Sequence, residues 1–289
     1  MPAYHFEKLF PVEIEARLKA MPVLVLGFGT LEWHSHHLPL GLDGLVAQAV
    51  SERIAERVEA VVSPVSYWAA GGVPYPYTLK LPISVIEPLL ISLFEQFGEM
   101  GFRVITVFTG HFGIEQTLIL KRAAHTVMSR SPVTILPITT YDLISDVYTG
   151  DHAALGETSL LMALHPDLVR LDAIPADVKL DGIIGTEPRG SAIASKGVMM
   201  LNQIVSAAEV TIKRMLQQNS VERARYHEVS GLLARVLQKT FEQRQQLPKA
   251  LVPSITTPAY LQCCQALYND GDYVQAKQLA EKKLADLSA

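Results

Sequence analysis

Arg103–Gly110, RVITVFTG, is the stretch whose reading decides the fold. β-branched residues crowd into it, no charge interrupts it after Arg103, and it closes on a glycine. Such a run reads as a buried strand. Three more runs of the same kind lie around it. Pro22–Gly29, PVLVLGFG, reads as a buried strand entering a loop. Ala60–Trp68, AVVSPVSYW, and Val133–Tyr141, VTILPITTY, read as two others. Between them stand the helix-length amphipathic stretches Leu42–Val58, Ser84–Met100 and Ile114–Met128. Strand and helix alternating at this rhythm predict an α/β fold, with a mostly parallel sheet covered by helices on both faces. In such sheets the ligand crevice lies beyond the carboxyl ends of the strands.

Farther along, Val178–Lys196 is rich in glycine, alanine and isoleucine and reads as a loop. A long helix is predicted from about Val198 to Gln218, and the basic, glutamine-rich stretch Val221–Gln246 is also helical in pattern. Ala259–Leu287 resembles one tetratricopeptide-type helical hairpin, turning at Asn269–Asp272. A single unit of that kind cannot cover its own apolar faces, so it must pack on the body or on a neighbouring subunit. These observations divide the chain into a main domain, 1–220, and a helical C-terminal extension, 221–289.

Composition narrows the function classes. Of the 289 residues 49% are hydrophobic, enough to bury one sizeable core. The net charge of −4 and a pI near 6.1 offer no electrostatic basis for binding nucleic acid or an anionic membrane. No apolar run reaches transmembrane length, and the N-terminal stretch lacks the basic start and apolar core of a signal peptide. Cys263 and Cys264 are adjacent and supply no disulfide framework. The expectation is a cytoplasmic protein acting on a small molecule.

Three polar clusters carry the chemistry. Gly29–Asp43, GTLEWHSHHLPLGLD, packs Glu32, His34, His36, His37 and Asp43 into the loop after the first strand. Imidazole nitrogen and carboxylate oxygen are what divalent metals of borderline hardness select. Glu32 and His34, two residues apart in an extended loop, leave the chain on the same side, and Asp43 can bridge two ions. In Thr109–Gln116, TGHFGIEQ, His111 sits between glycines where the strand of the opening stretch ends. Taken alone, a histidine after a strand is more often a hydrogen-bonded structural group. Gly150–Leu164, GDHAALGETSLLMAL, holds Glu157 and Thr158 ahead of an apolar helical run, where helix capping is the alternative reading.

In order and spacing the three clusters resemble the motifs of the creatininase family. Glu32, His34, His37, Leu38, Pro39 and Asp43 fall in register on its first motif, Gly110 and His111 on its second, and His152, Ala153, Glu157, Thr158 and Ser159 on its third. The resemblance spans roughly Pro22–Leu216 and leaves the helical extension unexplained. It implies a three-layer αβα sandwich, commonly assembled as a hexamer of identical chains, with two divalent ions per subunit (zinc, manganese or iron). By position, Glu32, Asp43 and His111 would hold one ion. His34, Asp43 and Glu157 would hold the other, with Asp43 shared. His152 would move a proton or bind substrate, with Glu115 as second candidate. His37 would orient a ligand by hydrogen bond, and Tyr75 falls on the family's substrate loop; apart from the resemblance, Trp33 and Trp68 flank the crevice and are read as lining it. The implied reaction is hydrolysis of a C–N bond in a small cyclic amide or formamide by a metal-bridged hydroxide.

The pattern also departs from the family. Gly113 stands where creatininase has a glutamate, Ile114 where many relatives have asparagine, and Ser35–His36 where the motif has Gly-Pro. Leu42 replaces a threonine and Ala154 a glycine, and the loop Tyr67–Leu79 keeps little of the usual polar shell. Creatinine itself is therefore not the expected substrate. Two rival readings remain at this level: hydrolysis of a C–C or lactone bond in a sugar-like ring, and a non-catalytic binding protein that keeps the metal as a clip and binds partners through its tail.

Overall fold

The computed structural model describes residues 3–175, 177–246 and 255–288. Among the described residues, five parallel strands make one sheet: β1 (Tyr4–His5), β2 (Val23–Phe28), β3 (Val61–Val62), β4 (Val104–Thr109) and β5 (Thr134–Ile138). Their order across the sheet is β1-β3-β2-β4-β5. β2 and β4 are paired in the middle from Val23↔Val104 to Phe28↔Thr109. Both are buried at every residue, because each face of the sheet carries helices.

The helices are α1 (Pro11–Ala20), α2 (Leu42–Val58), α3 (Ile83–Glu99), α4 (Ile114–Met128), the short α5 (Thr140–Leu143), α6 (Leu155–Leu164), α7 (Ala194–Gln217), α8 (Ser220–Gln246), α9 (Pro258–Cys264) and α10 (Tyr273–Asp286). A π-helical turn, Gln265–Asp270, follows α9. α2 packs on β2 and on α7, whereas α3 packs on α4; α8 lies against α4, and α10 against α8 and α9. The result is a three-layer αβα sandwich with further helices added at the C-terminal end.

The predicted strand Ala60–Trp68 is the largest departure. Only Val61–Val62 is regular, because Pro64 has no N–H to donate to the ladder. The segment still runs beside β2: Ser66 N–H donates to the Gly27 carbonyl at 2.9 Å, and Gly29 N–H donates to the Ser66 carbonyl at 2.8 Å. The edge strand β1 has no sequence signal of its own at two residues.

The C-terminal helices share the main core. Tyr226, Leu233, Tyr260, Leu267 and Ala280 belong to the same buried apolar cluster as β2, β4 and α4. A buried polar knot adds to this. Lys121 of α4 donates from Nζ to Asp142 Oδ2 at 2.9 Å, to the Pro137 carbonyl at 3.1 Å and to the Tyr268 hydroxyl at 3.0 Å. Asp142 also accepts from Tyr260 Oη at 3.3 Å and Cys264 Sγ at 3.1 Å.

Two glycines set the geometry at the strand ends. A Cβ on Gly29, after β2, would lie 2.2 Å from the Gly44 nitrogen, and one on Gly110, after β4, would lie 2.2 Å from the Asp43 carbonyl oxygen. Only glycine lets both strand ends close on the first turn of α2, and that approach carries Asp43 to the middle of the sheet's carboxyl edge.

Candidate metal centre

Four segments of the chain deliver the polar side chains to one point. The loop after β2 brings Glu32 and His34, the first turn of α2 brings Asp43, the turn after β4 brings His111, and the first turn of α6 brings Glu157. All five are buried. His111 Nδ1 lies 3.0 Å from Glu32 Oε2 and 3.1 Å from Asp43 Oδ2. His34 Nε2 lies 3.0 Å from Asp43 Oδ1 and 3.7 Å from Glu157 Oε2. Ligand-type atoms of Glu32, Asp43 and His111 all fall within 4.8 Å of one another, and so do those of His34, Asp43 and Glu157. Asp43 presents one oxygen to each group.

The orientation of His34 is fixed from behind. Its Nδ1–H donates to the Glu32 carbonyl at 3.0 Å, so Nε2 is the nitrogen turned toward the carboxylates. Although His34 Nε2 and Asp43 Oδ1 are close, neither has a hydrogen-bond partner of acceptable geometry among the described residues. Two buried polar atoms aimed past one another toward a common point fit a shared cation better than a hydrogen bond. Nitrogen and carboxylate oxygen are also the donor set of zinc and manganese sites.

Charge coupling among the five is strong. Burial works against charging His34, but the carboxylates of Asp43, Glu157 and Glu32 outweigh it and hold the imidazole up to about 10. His111 is likewise raised, against burial, chiefly by Glu32. Burial acts to raise Glu32 and Asp43, yet their histidine partners keep both below their ordinary values. Burial dominates at Glu157, whose carboxyl is pushed well above the usual range.

Neighbouring groups shape the site. His152 Nε2–H donates to the Trp33 carbonyl at 2.9 Å, and its Nδ1 lies 3.9 Å from Glu32 Oε2. Burial, with His34 adding to it, pushes the His152 imidazolium down to about 4. Two residues here adopt left-handed backbone without being glycine: Ser35 (φ 59°), where the creatininase motif has glycine, and Ala153 (φ 50°) beside His152. The turn at Ala153 points its N–H at Glu157 Oε2, 2.6 Å away. His37 touches no proposed ligand directly; its Nε2 pairs with Thr158 Oγ1 at 3.0 Å and so pins the turn that carries Glu157.

A cavity of about 500 Å³ opens beside these groups, lined by Glu32, Asp43, His111, His152 and Glu157 among others, with Glu115 also on its wall. The aromatic residues expected to line it lie elsewhere. Trp33, between Glu32 and His34, leaves the extended chain on the opposite side and stacks on Tyr75 at 5.8 Å between ring centroids. Trp68 is 53% exposed. Phe112, Ile184, Phe241 and Ile255 supply the apolar wall instead.

Asp151, which no motif singled out, also lines the cavity. It accepts from Tyr148 Oη at 2.7 Å and from the N–H groups of Gly156 (2.6 Å) and Glu157 (3.1 Å). It therefore anchors the N-terminus of α6 and the backbone of Glu157. The available signal was an acid shortly before a helix start, the position a capping group takes.

Residues 7–212 match the family model described as creatininase, creatinine amidohydrolase. The chain belongs to the creatininase family. As a family member it is an enzyme of the amidohydrolase type. It is 30% identical over 189 residues to the creatinine amidohydrolase of Pseudomonas putida, covering 56% of this chain and 72% of that protein. It is 28% identical over 185 residues to the mycofactocin precursor peptide peptidase of Mycolicibacterium smegmatis, covering 60% of this chain and 72% of that one. A solved creatininase in its Mn form superimposes with a TM-score of 0.62 at 24% identity, over 74% of this chain and 99% of that one, and shows the same fold. Among the described residues, no helix is long and apolar enough to cross a membrane.

Proposed function

We propose that this creatininase-family chain hydrolyses a C–N bond of a small cyclic amide or formamide, using two divalent metal ions. The observation that carries the reading is the pair of ligand groups that share Asp43, with His34 Nε2 and Asp43 Oδ1 buried and unpartnered between them. Glu32, Asp43 and His111 would hold one ion, and His34, Asp43 and Glu157 the other. Bound there, divalent zinc or manganese supplies Lewis acidity, polarising a carbonyl and making water acidic near neutral pH.

The protein's own groups supply the proton chemistry. With Nε2–H committed to the Trp33 carbonyl, neutral His152 keeps a lone pair on Nδ1, facing Glu32. In this role Nδ1 takes the proton of the attacking water as the new C–O bond forms, then returns it to the nitrogen as the C–N bond breaks. One water is consumed, and a carboxylic acid and an amine are the products. The backbone carbonyls behind His34 and His152 fix both tautomers before substrate arrives. Glu115 stands on the cavity wall as an alternative carrier of the proton. The cavity of about 500 Å³, walled in part by Phe112 and Ile184, suits a small substrate.

The test is a panel of formamides, cyclic amides and small lactones offered to protein loaded with zinc or manganese, with release of amine or acid as readout. Amine release that chelation abolishes and metal restores is the expected result. Turnover of the lactones alone would replace the reading with ester chemistry. We read the assembly as a homo-oligomer, with exposed apolar residues such as Phe10 and Val12 available for contact; light scattering on the eluted protein measures it.

A further inference from the structure

Gln116 closes the stretch that carries His111, and the proton chemistry leaves it unused. It lies in the first turn of α4 and is fully buried. Its Oε1 accepts from the Ala70 N–H at 2.9 Å, while its Nε2 has no partner among the described residues. A buried amide with half of its bonding capacity unmet costs more than an apolar side chain of the same size. The bond to Ala70 is the contact that accounts for a polar group here.

Ala70 leads into the turn Gly71–Val73. Gly71 (φ 84°) and Gly72 (φ 135°) both adopt backbone that favours glycine. A Cβ on the first would lie 2.9 Å from Glu115 Oε2, and one on the second 2.7 Å from Thr78 Cγ2. The turn delivers the Val73 N–H to Glu32 Oε1 at 2.6 Å and leaves Glu32 Oε2 facing His111 Nδ1 at 3.0 Å. A charge-assisted bond of this kind fixes which oxygen the carboxylate offers to an ion. The far end of the same loop holds backbone instead: Leu79 N–H donates to the Leu31 carbonyl at 2.8 Å, and Trp33 N–H donates to Thr78 Oγ1 at 3.1 Å. At the near end the Gly71 N–H reaches the Leu81 carbonyl only at 3.4 Å, so Gln116 is the firmer anchor there.

We infer that Gln116 is a positioning residue for Glu32: it pins the strap Ala70–Val73, and the strap aims the Glu32 carboxylate at the ion shared with Asp43 and His111. The effect is confined to that ion. His34 is held by the Glu32 carbonyl and Glu157 by the Ala153 N–H, neither of which touches the strap. Gln116 thus ties the helix that follows the His111 turn to the ligand loop after β2, through a segment that supplies no ligand itself.

The inference rests on the two-metal reading, and the experiment separates the two. Metal-free full-length protein is titrated calorimetrically with zinc, and Glu32→Gln marks which binding step belongs to the Glu32 ion. Gln116→Met removes the acceptor at similar volume and should weaken that step about ten- to hundredfold, leaving the other step unchanged. Gln116→Glu keeps an acceptor at the same reach and should restore much of the loss. Gln116→Asn falls short of Ala70 and serves as the second variant where methionine does not fold. A merely structural role would weaken both steps together. Equal weakening of both, or two steps as tight as in wild type, overturns the inference and leaves the metal reading intact. If wild type takes up no zinc, the metal reading falls, and amide hydrogen exchange followed by NMR decides. Exchange at Val73 about tenfold faster in the variant upholds the hold of Gln116 on Glu32. Unchanged exchange there overturns it.

Discussion

Lys121→Met should be among the most destabilising substitutions in the chain. The Lys121 ammonium is buried in α4 and joins Asp142 Oδ2 (2.9 Å), the Pro137 carbonyl (3.1 Å) and Tyr268 Oη (3.0 Å). Burial opposes its charge, but the Asp142 carboxylate outweighs that and holds the amine above its ordinary value. Methionine fills similar volume and leaves the Asp142 carboxylate buried without a cation. Breaking a buried pair in this way costs about 3–5 kcal/mol, a large part of the roughly 5–15 kcal/mol that holds a domain folded. At roughly 2–4 °C per kcal/mol for a chain of this size, the melting temperature should fall by about 10 °C. The double variant Lys121→Met with Asp142→Asn keeps a polar group at the α5 cap and removes the stranded charge, so it should recover most of the loss. Calorimetry on metal-free protein keeps ligand stabilisation out of the comparison. A single variant melting within about 2 °C of wild type, or a double variant no better than the single, would refute the reasoning.

The remaining predictions concern the site. His152→Ala should keep the metal content and lower turnover by about two to four orders of magnitude, the usual size of a proton-transfer contribution; full activity would remove His152 from the mechanism. Gly110→Ala should fail to assemble the site, since the added methyl group would lie 2.2 Å from the Asp43 carbonyl oxygen; a variant that folds and binds metal like wild type contradicts the close packing described here. His34, held up to about 10, is protonated in metal-free protein at neutral pH, and its pairing with Asp43 stabilises the fold below the unfolded value near 6.5 and is lost as pH climbs through about 10. An incoming ion must displace that proton, so metal affinity should rise with pH between 6 and 8, with proton release visible as buffer-dependent heat in titration calorimetry. An affinity flat across that range would contradict the coupling.

Much of this was legible in the residues because the governing interactions are local. Leu42–Val58 and Ile114–Met128 have the bounds read from sequence, since glycine precedes each helix and its apolar positions repeat along it. The fully buried β2 and β4 are continuous apolar runs, which is what a strand covered on both faces requires. Ala60–Trp68 was read as one long strand because its composition is strand-like; a single proline outweighs that composition by removing a ladder donor. At the site, Glu32, His34, Asp43, His111 and Glu157 come together, whereas Trp33, Trp68 and Tyr75 do not line the cavity. Trp33 follows the alternation of an extended chain and turns away from its neighbours Glu32 and His34. The cavity wall at Phe241, Arg244 and Ile255 was not legible at all. It depends on how α8 packs against α4, a contact between segments about a hundred residues apart, such as His125 with His227.

The central claim is that two cations sit between Glu32, His34, Asp43, His111 and Glu157. Anomalous diffraction at the zinc or manganese edge from metal-loaded crystals tests it directly. Two peaks per chain are expected, each about 2.0–2.2 Å from its carboxylate and imidazole ligands, with Asp43 touching both. A single peak, or ions held elsewhere while these five side chains bond only to one another, would contradict it.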